Sequence, residues 1–128
     1  MTANPFGEIG TATYVLLTTF TKDGRPKPTA IWAALDAGEL LVWTQAKSWK
    51  VKRINNTPRV TLAVCDRAGN NAGPAVEATA RVLDDAGTAR TRSAIIAKYG
   101  LVGRVAVTAS SLFRGKSSTV GIAVSPVS

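Results

Sequence analysis

The segment from Trp43 to Lys50 (WTQAKSWK) concentrates anion-binding side chains where a helix is expected to begin. It contains the hydroxyls of Thr44 and Ser48 and the ammonium groups of Lys47 and Lys50. A helix N-terminus has backbone N–H groups without intrahelical partners and a positive partial charge, so it attracts phosphate. Hydroxyls add directional hydrogen bonds, and lysines neutralise the charge. The segment predicts a phosphate site; the alternative is that Ser48 only caps the helix and the lysines are solvated.

The composition excludes several kinds of catalytic site. The chain has no histidine, which excludes Ser-His-Asp catalysis, imidazole acid–base chemistry and the usual zinc sites. The single Cys65 excludes an internal disulfide and a thiolate metal cluster, and it is expected to be a small core residue. No metal site is predicted. An enzyme of this composition would depend on an organic cofactor for its chemistry.

The charge balance indicates an anionic ligand. With 16 basic and 8 acidic residues, the formal net charge is +8. This surplus favours nucleic acid, an acidic membrane surface, or a phosphorylated or carboxylated small molecule. Nucleic acid is the weaker of these alternatives, because aromatic residues make up only 6% and none alternate with lysines to form a stacking surface.

Length and hydropathy predict one soluble domain over residues 1–128. No apolar run approaches the roughly 20 residues that a membrane-spanning helix needs. The segment Met1–Gly10 has neither a basic start nor an apolar centre, so it is not expected to be a signal peptide. Together with the single cysteine, these features favour the cytoplasm.

The elements that must position the candidate site are mostly strands. Alternation and turn residues predict strands at Tyr14–Phe20, Lys27–Leu35, Leu40–Thr44, Arg59–Cys65, Ala75–Leu83 and Ser117–Val124. The first three are expected to form a β-meander, with a turn at Asp23-Gly24. Many short antiparallel strands indicate a barrel-like, mainly β architecture.

Two helical segments interrupt the strands. A short helix over Trp49–Asn55 is expected to begin at Ser48 and to bury Val51 and Ile54. A longer helix is predicted from Asp84-Asp85 to Tyr99, ended by Gly100. After it, apolar residues from Val102 to Leu112 recur at helical spacing.

The order of these motifs resembles the pyridoxamine-phosphate-oxidase-like superfamily of FMN-binding split β-barrels. Within it, the chain is similar to the B-type flavin/deazaflavin oxidoreductases, which are mostly actinobacterial. The matching segments are Thr18–Pro26, Pro28–Trp32, Thr44–Lys50, Val51–Val60, Gly73-Pro74, Ala80–Val82, Lys98–Gly100 and Val120–Ile122. The resemblance implies a mainly β split barrel that forms a homodimer with the cofactor at the interface.

The resemblance also implies the cofactor-binding residues. In such proteins one strand lies along the flavin or deazaflavin ring, and here that strand is Thr29, Ala30, Ile31 and Trp32. The cofactor phosphate is held by the residues that match Thr44, Ser48 and Lys50, with Lys47 beside them. By analogy, Arg114 or Lys116 would reach the cofactor from the second subunit.

The cofactor implied is coenzyme F-420, with FMN as the alternative. FMN oxidases of this superfamily often have an arginine between the serine and the lysine, where this chain has Trp49. The polyanionic tail of F-420 suits Lys47, Lys50, Lys52 and Arg53. The implied activity is hydride transfer between the reduced deazaflavin and an unsaturated or conjugated organic substrate. The substrate itself is not predicted.

Other functions remain open at this stage. A cofactor carrier without turnover and a basic β-barrel that binds nucleic acid are both compatible with the sequence. Haem is less expected, because histidine is its commonest axial ligand.

No catalytic side chain is identified. Trp32, Trp43 and Trp49 either line a cleft or pack internally, and packing is commoner. Tyr14 and Tyr99 are more typical of hydrogen-bonded buried tyrosines than of proton donors. Glu77 is expected on a solvated face, and residues 66–71 are expected to form a simple turn.

Overall fold

A computed structural model of the chain contains seven strands and two α-helices. It describes residues 6–114 and 119–127, with side chains at 6–100 and 119–127. The strands are β1 Val15–Phe20, β2 Pro26–Ile31, β3 Ala33–Asp36, β4 Glu39–Gln45, β5 Arg59–Val64, β6 Val76–Val82 and β7 Thr119–Pro126. The helices are α1 Trp49–Asn56 and α2 Asp85–Arg114, and a 3-10 helix at Gly7–Thr11 precedes β1.

The strands form one antiparallel sheet in the order β2-β1-β5-β6-β7-β4-β3. The outermost strands, β2 and β3, are separated in the chain by Trp32 alone. Because one residue spans only about 3.5 Å, the two edges of the sheet must lie side by side at this point. The sheet therefore curls into a barrel that is split between β2 and β3, which confirms the predicted mainly β split barrel.

The predicted strand Lys27–Leu35 and the predicted meander are wrong in one respect. Strand β2, which pairs with β1, ends at Ile31, and β3, which pairs with β4, begins at Ala33. The single predicted strand is therefore two strands. The backbone of Ala33 is bound by α2: its N–H donates to Tyr99 Oη (3.1 Å) and its carbonyl accepts from Lys98 Nζ (2.5 Å). These contacts join residues far apart in sequence, so local pattern does not show the break.

The barrel interior is filled by the alternate side chains of the strands. In β1, Val15, Leu17 and Thr19 are fully buried, and the intervening side chains are half-buried. Helix α1 packs on this core through Val51 and Ile54, as its spacing predicted. A second apolar cluster, which contains the buried residues Ala34 and Ile95, joins α2 to the outer side of β3 and β4.

Helix α2 lies directly on β7. The Gly121 N–H donates to Thr88 Oγ1 (3.0 Å), and a Cβ at Gly121 would overlap Thr91 Oγ1 and lie 2.9 Å from Thr91 Cβ. The helix begins where predicted, with Asp84 Oδ1 accepting from the Gly87 N–H (2.9 Å).

The helix that begins at Asp85 is interrupted at Gly100, as predicted, and a second helical segment follows, in agreement with the helical spacing of the apolar residues after it. Gly100 has φ +63° and ψ −135°, and the helix resumes to Arg114. The final strand is found at Thr119–Pro126; the predicted start at Ser117 lies outside the described residues. In the described part of the chain, neither helix combines the length and apolarity needed to cross a bilayer.

Candidate functional site

The predicted phosphate segment runs from the end of β4 into α1. Thr44 pairs with Val120 of β7 and is half-buried. The chain then turns through Ala46 and Lys47, with the Ser48 N–H donating to the Gln45 carbonyl (3.1 Å). Lys47 is exposed in this turn. Four predicted residues, Thr44, Lys47, Ser48 and Lys50, thus lie around the N-terminus of one short helix.

Ser48 occupies the N-cap position but does not cap the helix with its side chain. Its backbone is extended (φ −69°, ψ 156°), as an N-cap residue requires, yet its hydroxyl accepts no hydrogen bond from the first turn. The Oγ atom is instead buried without a partner. The expectation that Ser48 merely caps α1 is therefore wrong for the side chain.

A second buried polar atom of this segment also lacks a partner. Among the described residues, only Trp43 Nε1 and Ser48 Oγ are buried side-chain nitrogen or oxygen atoms without a hydrogen bond. Leaving such a group unsatisfied costs about 1–3 kcal/mol. Ser48 Oγ lies at the start of α1, where a ligand oxygen would satisfy it, whereas the Trp43 side chain packs against the cluster that contains Ile95.

Lys50 supplies a partly desolvated positive charge beside these atoms. Its side chain is half-buried, and burial together with the neighbouring Arg53 lowers the pKa of its ammonium group. Arg53 is held by a hydrogen bond from its Nε to Thr19 Oγ1 (2.6 Å). No salt bridge in the described residues involves Lys47, Lys50 or Arg53. An anion bound here would therefore meet a charge that no carboxylate neutralises.

The residues predicted to lie along a cofactor ring form the end of the edge strand β2. Thr29, Ala30 and Ile31 pair with Leu17, Leu16 and Val15 of β1, and all three are half-buried. Gly69, in the loop after β5, lies against this strand: a Cβ there would be 3.7 Å from Ala30 Cβ. The loop itself is a turn, as predicted, closed by hydrogen bonds to the Asp66 carboxylate.

Trp32 is fixed by two residues of α2 that the sequence did not single out for this role. Its ring stacks on Tyr99, with centroids 4.3 Å apart and planes 9° from parallel. The Tyr99 hydroxyl donates to the Thr13 carbonyl (2.8 Å), and burial raises its pKa. Lys98 Nζ donates to the carbonyls of Ala12 (2.6 Å) and Ala33. The Lys98-Tyr99-Gly100 motif was the available signal, and Tyr99 is hydrogen-bonded as predicted, although it is half-buried rather than buried.

The two predicted sets approach each other at a pair of tryptophans. The β3–β4 ladder begins with Ala33 opposite Val42, so Trp32 and Trp43 are one step beyond it, on facing chains. Both pack against the cluster that contains Ile95. No hydrogen bond among the described residues joins Thr29–Ile31 to Thr44–Lys50. Trp32, which follows the predicted ring strand, and Trp43, which precedes the predicted phosphate segment, thus pack against the same cluster.

The remaining candidates have structural roles. Glu77 is exposed and paired with Arg59 through two hydrogen bonds (2.7 and 2.9 Å), in agreement with a solvated face. Cys65 is buried, and burial raises the pKa of its thiol. The Arg114 side chain and Lys116 lie outside the described residues. The described residues contain no cluster of three or more His, Cys, Asp or Glu side chains.

Two of the cavities in the described part of the protein are lined by charged residues. One of about 450 Å³ lies between the 3-10 helix, β3 and α2. Its charged residues, Asp36 and Lys98, are already bonded to Arg90 and to backbone carbonyls, so it offers no free charge. The other, of about 340 Å³, lies beside α1 and includes Lys52 and Arg53.

Comparison with known proteins gives a family match over most of the chain. The model of the pyridoxamine 5'-phosphate oxidase family matches residues 7–120. No curated protein is detectably similar in sequence.

Solved structures share the fold at low identity. A conserved hypothetical protein from Mycobacterium tuberculosis is 22% identical with a TM-score of 0.70, over 94% of this chain and 76% of its own. An F-420 reductase is 23% identical with a TM-score of 0.64, over 99% and 97%. The heme storage protein HutZ from Vibrio cholerae is 13% identical with a TM-score of 0.69, over 100% and 92%.

Proposed function

The chain belongs to the pyridoxamine 5'-phosphate oxidase family, and from that premise we propose that it is a coenzyme F-420-dependent oxidoreductase. The reaction would be hydride transfer between the reduced deazaflavin and an unsaturated or conjugated organic substrate. One observation supports the proposal most strongly: Ser48 Oγ is buried without a partner at the start of α1, which carries the half-buried Lys50.

The residues present fit a phosphate-bearing cofactor. Ser48 Oγ, Thr44 Oγ1 and the first-turn N–H groups of α1 would donate hydrogen bonds to the phosphate, and Lys50 would neutralise it. Binding of the phosphate would give the buried Ser48 hydroxyl a hydrogen-bond partner and would neutralise the charge of Lys50. The ring would lie along Thr29–Ile31, between the β5–β6 loop at Gly69 and the Trp32–Tyr99 stack.

F-420 is favoured over FMN by the charges near α1. Trp49 stands where FMN oxidases often have an arginine, and its indole is 69% exposed, so it supplies no charge to a phosphate. Lys47 and Lys50 have no acidic partners in the described residues, which suits a ligand with several negative charges.

The chain's own residues would position and shield the reacting groups. The bound deazaflavin supplies the hydride chemistry. Trp32 is held rigidly by Tyr99, and the Ala33 backbone is held by Lys98, so the wall of the ring site is fixed before a ligand arrives. Tyr99 itself is occupied as a donor to the Thr13 carbonyl, which leaves it unsuited to donate a proton to substrate.

We also propose that the protein is a homodimer with the cofactor at the interface. Thr29–Trp32 remain half-exposed in the single chain, so a second subunit is needed to cover a ring lying on them. Sedimentation at micromolar concentration should give the mass of two chains. A monomer with undiminished cofactor affinity would contradict this arrangement.

The cofactor is tested by titrating the purified protein with F-420 and with FMN while recording fluorescence. F-420 should bind more tightly than FMN. Binding of neither would contradict the proposal, and exclusive FMN binding would replace F-420 with the flavin alternative. A gel shift with random oligonucleotides, in the absence of cofactor binding, would favour the nucleic-acid alternative.

Lys50→Ala should weaken F-420 binding by about tenfold or more, because a charged hydrogen bond contributes about 1.5–3 kcal/mol. Arg81→Ala is the matched control: it removes the same charge, but Arg81 is bound to Glu39 at the opposite end of β4 from Thr44. Equal affinities of the two variants would reject the phosphate assignment.

A further inference from the structure

A separate pocket adjoins the outer side of α1. This α1 pocket, of about 340 Å³, lies between α1 and the turn that joins β1 to β2. Its aromatic walls are Phe20 and Trp49, and its basic residues are Lys22, Lys52 and Arg53. None of the residues assigned to the phosphate site, Thr44, Ser48 or Lys50, lines it.

The α1 pocket is basic and has no carboxylate in its lining. The nearest acid in sequence is Asp23, which is already bonded to the Thr21 hydroxyl and to Arg25. These contacts lower the Asp23 pKa, the Thr21 hydrogen bond most. In the described residues no salt bridge engages Lys22, Lys52 or Arg53, so these three cations are available to an anion.

The Arg53 side chain is held in one orientation by a hydrogen bond to the barrel. Its Nε donates to Thr19 Oγ1 (2.6 Å), and Thr19 is fully buried in β1. This bond fixes one side of the guanidinium to the barrel. The two terminal nitrogens have no partner among the described residues, and they provide the paired donors that match a carboxylate or phosphate.

The aromatic walls of the α1 pocket favour a flat ligand. Trp49 is 69% exposed, which is unusual for a large apolar side chain, and Lys52 Nζ lies 4.6 Å from the centroid of its ring. Phe20 has the Arg59 guanidinium over its ring at 4.4 Å. A flat ring entering the pocket would cover apolar surface of Trp49 while its acidic group reached Arg53.

We propose that the α1 pocket is a second binding site, for a planar aromatic anion that carries a carboxylate or phosphate. The sequence predicts that Lys52 and Arg53 suit the same polyanion as Lys50; in the structure they line a cavity with two aromatic walls, and we assign them to this second site. The proposal is independent of which cofactor occupies the Thr44–Lys50 site.

The test uses naphthalene-2,6-dicarboxylate as the probe and cyclohexane-1,4-dicarboxylate as a non-aromatic anion of equal charge. Calorimetric titration of the wild-type protein should show the naphthalene probe binding at least several-fold more tightly. Trp49→Ala should remove that preference, and Lys52→Gln should weaken both probes by severalfold. Both side chains are exposed, so neither change should affect folding. Arg92→Gln serves as the charge-matched control and should bind as the wild type does.

Three results would overturn the proposal. Equal binding of the two dicarboxylates would show that charge alone is recognised. Unchanged affinity in both Trp49→Ala and Lys52→Gln would place the probe elsewhere. A final titration, at saturating F-420, should leave probe affinity unchanged; competition would show that the tail of the cofactor occupies this pocket, and it would refute a separate site.

Discussion

The basic side chains of this protein fall into two regions that differ in what neutralises them. On the α2 side, Arg81 and Arg90 share the carboxylate of Glu39, and Arg90 also binds Asp36 (2.6 Å). On the α1 side, Lys50, Lys52 and Arg53 have no carboxylate partner in the described residues. The positive charge of the first region is used within the fold. In the second region no carboxylate of the described residues neutralises the positive charge, and under our proposals a bound ligand does so.

This difference predicts opposite consequences of substitution. Changes to Glu39, Arg81 or Arg90 should lower the free energy of unfolding and leave the ligand affinity of the folded protein unaltered. Changes on the α1 side should do the reverse. The variants below test this difference, in order of decreasing expected effect.

Gly121→Ala should have the largest effect on stability. The new methyl group would overlap Thr91, so α2 would have to move away from β7, and overpacking of this kind costs about 1–3 kcal/mol. Urea unfolding measures the loss. Gly73→Ala is the control, because a Cβ at Gly73 meets no atom within 4 Å. Equal stability of the two variants would show that α2 is not packed tightly on this strand.

Glu39→Gln should cost about 1–3 kcal/mol at neutral pH, because two guanidinium groups and Ser125 lose a charged acceptor. The Arg81 hydrogen bond is the main cause that lowers the Glu39 pKa from 4.5 to about 2. A lowered pKa stabilises the fold above the unfolded-state value, and this contribution is lost as pH falls from about 4.5 towards 2. The stability difference between wild type and variant should therefore shrink over that interval.

The same urea unfolding curves, recorded at several pH values, measure this difference. Glu77→Gln provides the comparison: its ion pair with Arg59 is exposed, so little change is expected. A difference between wild type and Glu39→Gln that stayed constant down to about pH 2 would contradict the assignment of the shift.

Tyr99→Phe should cost about 1 kcal/mol. It removes the hydroxyl that bonds the Thr13 carbonyl and the Ala33 N–H, but it keeps the ring that stacks on Trp32. Tyr99→Leu also removes the stack and should alter the fluorescence of Trp32. If Tyr99→Phe changed cofactor affinity while stability stayed constant, the α2 side would contribute to binding and the distinction would fail.

The smallest effect is expected from Lys50 in the free protein. Burial and Arg53 lower its pKa below the ordinary 10.5, so the unfolded chain binds more protons than the folded one, and stability should rise as pH increases towards 10.5. Lys50→Met should reduce this rise, whereas Lys47→Met, in the exposed turn, should keep it. Equal pH slopes in the two variants would show that Lys50 is not desolvated.

Local pattern was sufficient for most of the fold. The alternation in β1, β5 and β6 and the 3.6-residue spacing of α1 each depend on neighbouring residues, and their predicted bounds differ from the structure by one or two residues. The break at Trp32 was missed because Lys98 and Tyr99, which bind Ala33, are distant in sequence. Ser48 was correctly placed at the N-cap, but whether its hydroxyl finds a partner depends on the surrounding packing.

The position of β7 has a consequence for synthesis. It is the last strand in chain order, yet it lies between β6 and β4. Until Thr119–Pro126 has left the ribosome, β3 and β4 have no partner through which to join the other strands. The nascent chain must therefore hold two unjoined sheet fragments with apolar faces open to water. Barrel closure should therefore be a late step in the folding of this protein, after β7 has paired with both fragments.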